Sequence, residues 1–241
     1  GDSESDIDNA LTGEIEDGLG DAEIAKTGET GNSLKKAESD TEKAPVSAPE
    51  NDFQGAEVVF DNVDLTYKGA GDKSLSNISF TAPAGATIGI IGGTGSGKSS
   101  LVNLIPRFYD ATSGSVNIDG KNVKDYKVRE VRNLVGIVMQ KAVLFKGSIR
   151  DNMKWGNDQA SDEEINFALE NAQAAEVVAG KEGGLDYMLE QNGRNLSGGQ
   201  KQRFTIARAL VRKPKVLILD DSASALDFAT DAKLRKSLKQ L

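Results

Sequence analysis

The sequence predicts an α/β fold with an antiparallel sheet beside its core. Short apolar runs at residues 87–91, 135–139 and 216–219 are typical of strands that are buried on both faces. Helical patterns lie between these runs, and such alternation favours parallel strands in the core. An earlier stretch alternates apolar and polar side chains, as antiparallel strands do when one face is buried. Its apolar positions are Val63, Leu65, Tyr67, Ile78 and Phe80.

The remaining elements follow from local patterns. Residues 99–105 are expected to form a helix that Pro106 ends. "SVNIDGKNV", residues 115–123, predicts a hairpin with Asp119-Gly120 in its turn. Ser161 and Glu164 are spaced as a capping box before a run of apolar residues at helical spacing. Further helices are predicted over residues 198–212 and 228–240, with Leu234 and Leu238 on one face of the second.

Composition excludes several kinds of site. The chain has neither cysteine nor histidine. It can therefore form no disulfide framework or thiolate metal site, and it lacks the commonest general base. No apolar run approaches the ~18 residues that are needed to cross a bilayer.

The negative charge is concentrated at the N-terminal end. Residues 1–54 hold 15 acidic residues and 4 lysines, so the acidity of the chain belongs to this segment. Residues 1–52 contain no aromatic side chain. Such a segment cannot bury enough apolar surface to offset its conformational entropy. We therefore predict an acidic disordered linker over residues 1–54 and a folded domain over residues 55–241.

A glycine-rich loop follows the first apolar run of the core. "GGTGSGKS", residues 92–99, fits the pattern G-x-x-x-x-G-K-[ST] between a predicted strand and a predicted helix. Glycines allow successive backbone N–H groups to point at phosphate oxygens, and the helix N-terminus adds positive potential. The motif predicts a P-loop nucleotide site in which Lys98 bridges the β- and γ-phosphates and Ser99 ligates Mg²⁺.

Two aspartates follow the last apolar run. Asp220 and Asp221 lie at the C-terminal end of the predicted strand "VLIL", residues 216–219. A carboxylate at the end of a strand beside the P-loop strand can hold the same Mg²⁺, which is the role expected of Asp220.

"LSGGQKQR", residues 196–203, lies between these two elements and places two glycines just before a predicted helix. In this order and spacing, the P-loop, "LSGGQ" and "LILDD" resemble the nucleotide-binding domain of ABC (ATP-binding cassette) proteins. The resemblance covers roughly residues 56–241. It implies a P-loop NTPase (RecA-like) core, an antiparallel β subdomain and a helical subdomain over approximately residues 141–212.

The resemblance also implies residue roles. Tyr67 would stack on adenine, Gln140 would sense Mg²⁺ and the γ-phosphate, and Asp227 would cross to a second subunit. Metal ligands would be Ser99, Gln140 and Asp220, and the catalytic residues would be Asp221, Lys98 and Gln140. The residues expected to contact nucleotide are Tyr67, Gly92, Gly93, Thr94, Gly95, Ser96, Gly97, Lys98, Ser99, Ser100, Gln140, Ser197, Gly198, Gly199, Gln200 and Asp227.

In this family two cassettes pack head to tail, and each ATP lies between the P-loop of one and the signature "LSGGQ" of the other. The resemblance therefore implies ATP and Mg²⁺ as cofactors and a second cassette as partner. It also implies a transmembrane domain in the same parent chain, at the cytoplasmic face of a membrane, and no nucleic-acid partner. Glu190 matches loosely a loop that contacts the transmembrane part.

The sequence departs from the family pattern at two places. Asp221 stands where the family usually has glutamate, and aspartate is shorter by one methylene, roughly 1.5 Å. The switch histidine is absent, and we expect the C-terminal part of the cassette to be truncated, with a gap in its central sheet. An aspartate beside an intact signature resembles the weakly hydrolytic half of heterodimeric exporters.

Other family members are alternatives. "VLFKGSIRDNMKWG", residues 143–156, and "YDATSGSVNIDG", residues 109–120, resemble exporters of drugs, lipids or peptides more than importer ATPases. DNA-repair ATPases carry a long coiled coil between P-loop and signature, and translation-factor cassettes carry two tandem domains. A regulatory ATP-binding module without turnover is a further alternative.

Overall fold

A computed structural model describes residues 53–221 and 224–241. The predicted linker over residues 1–54 falls almost wholly outside the described residues, and so do Ser222 and Ala223. The boundaries predicted for the folded domain and its helical subdomain stay predictions.

The chain first builds an antiparallel sheet. Its strands are β1 (Val58–Leu65), β2 (Leu75–Ala82), β3 (Ser113–Ile118) and β4 (Lys121–Asn122), in the order β2-β1-β3-β4. The predicted hairpin is confirmed between β3 and β4. Asp119 and Gly120 both have positive φ, 48° and 75°, as a tight two-residue turn requires.

Between β2 and β3 lies α1 (Lys98–Leu104), which confirms the helix predicted after the glycine-rich loop. One hydrophobic cluster joins this helix to the sheet. Phe60, Val63 and Leu65 from β1 pack there with Leu104 and with Ile118 of β3, and none of the five is more than 2% exposed. This packing holds the C-terminal end of α1 against β1 and β3.

The remaining elements form a parallel strand pair and a group of helices. The elements, in chain order, are α2 (Val128–Leu134), β5 (Val135–Val138), β6 (Gly147–Ser148), α3 (Ile149–Lys154), α4 (Asp162–Asn171), α5 (Ala175–Ala179), β7 (Met188–Leu189), α6 (Gly198–Leu210), β8 (Val216–Leu219) and α7 (Phe228–Lys239). β5 and β8 pair in parallel from Val135↔Val216 to Val138↔Leu219, and β6 pairs with β7 in antiparallel fashion.

A second hydrophobic cluster fills the space between these helices. Ile149, Ile165, Leu169 and Phe204 are fully buried in it, and Leu234 packs there from α7. The predicted capping box at the start of α4 is confirmed. Ser161 Oγ accepts from the Glu164 N–H, and the Glu164 carboxylate accepts from the Ser161 N–H.

The strand predicted over residues 87–91 is wrong. The structure has no strand there, and Ile91 is 98% exposed. The reason is the lack of a partner, because in the described part of the chain β8 is paired on one side only, with β5. Leu219 of β8 is itself 38% exposed, so β8 is covered less completely than its apolar sequence predicts.

Candidate nucleotide-binding site

The glycine-rich loop has the backbone that an anion cradle needs. Gly95 and Gly97 adopt left-handed φ values of 80° and 85°, which residues with a Cβ rarely adopt. Gly97 is also the residue from which α1 begins. A Cβ added at Gly93 or Gly95 would meet no atom within 4 Å, so this side of the loop is open. Backbone N–H groups of a loop curled in this way form an anion-binding concavity.

Lys98 folds back over this loop. Its Nζ donates to the carbonyl oxygens of Gly92 and Gly93 at 2.6 and 2.7 Å, and it lies 3.4 Å from Ser96 Oγ. A Cβ at Gly92 would collide with the Ser96 hydroxyl, so the loop closes tightly at this point. The ammonium group is thus held at the mouth of the cradle, where a phosphate would meet it. Thr94 is exposed in the same loop.

The next two residues of α1 face different surroundings. Ser99 is exposed in the first turn of the helix, which is compatible with its predicted role as a metal ligand. Ser100 is half-buried, and its Oγ accepts a hydrogen bond from the Tyr67 hydroxyl at 2.8 Å. Tyr67 lies two residues after the end of β1, and this hydrogen bond places the predicted adenine platform next to the P-loop helix.

Gln140 and Asp221 also meet. Gln140 Nε2 donates to Asp221 Oδ2 at 2.8 Å. The parallel pair β5–β8 causes this proximity, because Gln140 and Asp221 each lie two residues beyond the paired residues Val138 and Leu219. The Asp220 N–H donates to the carbonyl of Val138 at 2.9 Å, which places Asp220 at the carboxyl edge of the pair. Asp221 has a left-handed φ of 49°.

The signature segment begins α6. Ser197 is its N-cap, and Ser197 Oγ accepts from the Gln200 N–H while Gln200 Oε1 accepts from the Ser197 N–H. Ser197 and Gly198 are exposed. Gly199 packs closely on the loop after β8, where a Cβ would lie 3.0 Å from the carbonyl oxygen of Ala225. The segment is therefore an ordered, exposed helix start.

Asp227 caps the last helix. Its carboxylate accepts from the N–H of Thr230 at 2.9 Å and from the Thr230 hydroxyl at 2.8 Å. The backbone hydrogen bond from Thr230, followed by that from its hydroxyl, lowers the pKa of Asp227. The carboxylate thus has a structural task within this chain, in addition to the role that the sequence predicts.

Sequence reasoning missed two neighbours of the site. Tyr109 and Tyr67 form a T-shaped pair, with ring centroids 4.8 Å apart and planes at 83°. The carbonyl of Ala225 lies against Gly199. No local pattern could have predicted either contact, because each joins residues that are distant in sequence.

The residues present fit a magnesium nucleotide. The curled loop, the lysine at its mouth and the N-terminus of α1 supply N–H groups and positive charge for phosphates. Ser99, Gln140 and Asp220 carry oxygen atoms of the kind that Mg²⁺ prefers, and their role as metal ligands stays a prediction. The geometry of the loop therefore fits the phosphates of a nucleotide.

Comparison with known proteins identifies the family. Residues 75–224 match the ABC transporter family, which is more than half of the chain. The chain belongs to the ABC transporter family. The predicted resemblance is thereby confirmed, and so are the predicted fold class and the assignment as an ATP-binding domain.

Relatives support the exporter type. The chain is 46% identical over 188 residues to the uncharacterised ABC transporter ATP-binding protein YfiB of Bacillus subtilis (strain 168). The matched region covers 78% of this chain and 33% of YfiB. It is 42% identical over 186 residues to the ATP-dependent lipid A-core flippase of Vibrio vulnificus (strain CMCP6). That match covers 77% of this chain and 32% of the flippase. The chain spans about a third of the length of these curated relatives.

A similar solved structure also supports the exporter type. A bacterial Atm1-family ABC exporter with ATP bound superimposes with a TM-score of 0.73 at 36% identity, over 77% of this chain and 33% of that one. Among the residues that the structure describes, no helix has the length and apolar character to cross a membrane.

Proposed function

We propose that this chain is the nucleotide-binding part of an exporter, which binds ATP with Mg²⁺ and pairs head to tail with a second cassette to power transport across a membrane. The observation that carries the proposal is the P-loop cradle around Lys98, within a chain whose relatives include an exporter. The bound nucleotide would supply the hydrolysable phosphoanhydride bond, and Mg²⁺ would offset its charge. Gly92–Ser100 would hold the phosphates, and Ser99, Gln140 and Asp220 would hold the metal.

At its own P-loop the chain is proposed to hydrolyse ATP slowly. A general base must reach the attacking water within ~2.6–3.2 Å, and a misplacement of about 1 Å costs ~100-fold in rate. Asp221 is one methylene shorter than glutamate, and its carboxylate is already engaged by the Gln140 amide. Both features favour a carboxylate that reaches the attacking water poorly.

The signature is proposed to act on the nucleotide of another subunit. Ser197 and Gly198 are exposed at the start of a helix of 13 residues, and backbone N–H groups at such a start attract phosphate. An ordered signature, in a chain whose own base is the short Asp221, is the combination expected of one half of a heterodimer. The second cassette is therefore proposed to be a different subunit whose site this chain completes through Ser197 and Gly199, with Asp227 at the same interface.

A transmembrane domain is the other proposed partner, and the chain would lie at the cytoplasmic face of the membrane. The aromatic pair Phe145 and Trp155 supports a docking surface. Their rings stack at 4.7 Å, and Trp155 is 68% exposed. Exposed aromatic side chains are enriched at protein interfaces. Glu190, also exposed, would lie on the transmembrane side by the family resemblance alone.

Substitution of the signature serine tests the proposal. Ser197→Arg in the full-length protein, purified with its partner, places a bulky cation where a phosphate-facing hydroxyl is proposed. We expect steady-state ATP hydrolysis to fall by at least about tenfold, because the oxyanion-binding end of the partner's site is blocked. Ser76→Arg, on the exposed side of β2, is the control and is expected to hydrolyse ATP at the wild-type rate. Unchanged hydrolysis in Ser197→Arg would refute the shared site.

A further inference from the structure

The hydroxyl of Tyr67 joins two parts of the nucleotide site that are far apart in sequence. It donates to Ser100 Oγ at 2.8 Å, and both residues are partly buried at this contact. Tyr67 follows β1, whereas Ser100 lies in the first turn of α1, directly after the P-loop lysine and Ser99. A group proposed to contact the base and a group proposed to lie beside the phosphates are therefore connected by one hydrogen bond.

A second contact sets the plane of the Tyr67 ring. The rings of Tyr109 and Tyr67 form an edge-to-face pair, with centroids 4.8 Å apart and an interplanar angle of 83°. Aromatic pairs prefer this arrangement to a face-to-face stack. Tyr109 is itself 47% exposed, so burial in the core does not account for its position. Its ring supports one side of Tyr67 while Ser100 holds the hydroxyl.

The P-loop also touches the strand pair from which Tyr67 emerges. A Cβ at Gly97 would lie 2.9 Å from Leu75 Cδ2 and 3.0 Å from the carbonyl oxygen of Ser74. Leu75 is paired with Leu65, two residues before Tyr67. The start of β2, which pairs with the end of β1, is thus in direct packing contact with the start of α1, and the hydrogen bond spans this junction.

We propose that Ser100 and Tyr109 are positioning residues that hold Tyr67 for the nucleoside base and so couple base binding to the P-loop. This inference rests on the proposed function, in which Tyr67 contacts the base. The Ser100 hydroxyl accepts from Tyr67 and keeps its own hydrogen for donation. When that hydrogen is donated to an anion in the cradle, the oxygen becomes a better acceptor, and the hold on Tyr67 tightens.

The test compares a nucleotide with a ligand that has no base. Calorimetry on the purified full-length protein would measure the affinity for a non-hydrolysable ATP analogue with Mg²⁺ and for inorganic tripolyphosphate with Mg²⁺. Tyr67→Phe removes only the hydroxyl. It is expected to weaken the analogue about two- to tenfold, the net range of one hydrogen bond. Tripolyphosphate affinity is expected to fall by less than about twofold, because only the cooperative strengthening of about 10–30% per bond is lost.

The double variant isolates the coupling. In a Ser100→Ala background, Tyr67→Phe is expected to have no further effect on analogue affinity, because its acceptor is already gone. Tyr109→Ala is expected to weaken the analogue by a similar two- to tenfold and to spare tripolyphosphate, whereas Tyr109→Phe keeps wild-type affinity because the ring remains.

Tyr126→Phe is the matched control. The Tyr126 hydroxyl donates to the carbonyl of Ile118 at 3.3 Å, in the same subdomain but away from the P-loop, so wild-type affinity for both ligands is expected. Wild-type affinity in Tyr67→Phe, or the same loss with and without Ser100, would overturn the inference while leaving the proposed function standing. Failure of the wild-type protein to bind the analogue would overturn both.

Discussion

The side chains of Gln140 and Asp221 are joined by a hydrogen bond of 2.8 Å across the carboxyl edge of the β5–β8 pair. The bond occupies one oxygen of the carboxylate proposed as the base. Separately, the φ of Asp221 is 49°, in the left-handed region where aspartate is enriched among residues with a side chain. Aspartate thus suits the backbone at this position, while the bond to Gln140 engages its side chain.

Lengthening this side chain should increase turnover at the chain's own site. Asp221→Glu adds one methylene, roughly 1.5 Å of reach, and a misplacement of about 1 Å costs ~100-fold. We expect a rise in ATP hydrolysis of about tenfold to 100-fold. It would be measured in the complex with Ser197→Arg in the same chain, so that the partner's site is silenced. Asp221→Asn, which cannot accept a proton, is the control and should show no rise; equal rates for the two variants would contradict the prediction.

Removal of the P-loop lysine should abolish most nucleotide affinity. Charge-assisted hydrogen bonds contribute about 1.5–3 kcal/mol each, so Lys98→Ala is expected to weaken ATP about tenfold to 100-fold or more. Calorimetry with ATP and Mg²⁺ measures this directly. Lys233→Ala removes an equal charge from the exposed face of α7 and should bind as the wild type does. Equal affinities for the two variants would show that Lys98 does not contact the phosphates.

The two glycines of the signature should respond differently to alanine. At Gly199 a Cβ would stand 3.0 Å from the Ala225 carbonyl, and forcing such contacts costs about 1–3 kcal/mol of the free energy of unfolding. At Gly198 a Cβ would meet nothing within 4 Å, and alanine in a helix is favoured over glycine by up to about 1 kcal/mol. Denaturant unfolding is the measurement. Equal free energies of unfolding for Gly198→Ala and Gly199→Ala would contradict the prediction, because they would show that the loop at Ala225 moves to accommodate the Cβ without loss of stability.

Acid stability should depend on Asp64. Lys73 donates to its carboxylate at 2.7 Å, the Asn77 N–H and the Ser113 hydroxyl donate at 2.8 Å, and these bonds, with Lys73 first, hold its pKa at about 2. A depressed pKa adds stability above the ordinary value near 3.8, and this is lost as pH falls towards 2. Melting temperatures of Asp64→Asn should therefore be lower than wild type at pH 7 and fall less steeply between pH 4 and 2.

Asp61→Asn is the matched control for that experiment. Asp61 is exposed in the same strand, and its carboxylate accepts a hydrogen bond from the side-chain amide of its neighbour Asn62. Its melting curve is expected to follow the wild type at every pH. A steep acid dependence retained in Asp64→Asn would assign the effect to other carboxylates.

The sequence predicted those parts of the molecule that local rules decide. The cap of α4 at Ser161, the turn at Asp119-Gly120 and the helix that follows the glycine-rich loop depend on side-chain chemistry within a few residues, and each is where the sequence predicts it. The contacts of Gln140 with Asp221 and of Tyr67 with Ser100 could not be predicted. They depend on which strands become neighbours, and that is decided by packing across the whole chain.

The error at residues 87–91 has the same origin. An apolar run such as "TIGII" is compatible with a buried strand, but a strand also needs a neighbour that pairs with its backbone. The apolar character of the run can be read from the sequence, but the presence of a neighbouring strand cannot. The same limit explains why Leu219, which is apolar and follows a buried residue, remains 38% exposed.

A ribbon of three branched aliphatic side chains is in contact with water. These side chains are Ile88, Ile90 and Ile91, and their residues are 47%, 39% and 98% exposed, respectively. Uncovered aliphatic surface next to backbone that lacks ladder bonds is a site for aggregation. Concentrated solutions of a molecule in this conformation should therefore scatter light and lose monomer over time. Storage at low concentration, or with a mild detergent that covers the ribbon, would slow that loss.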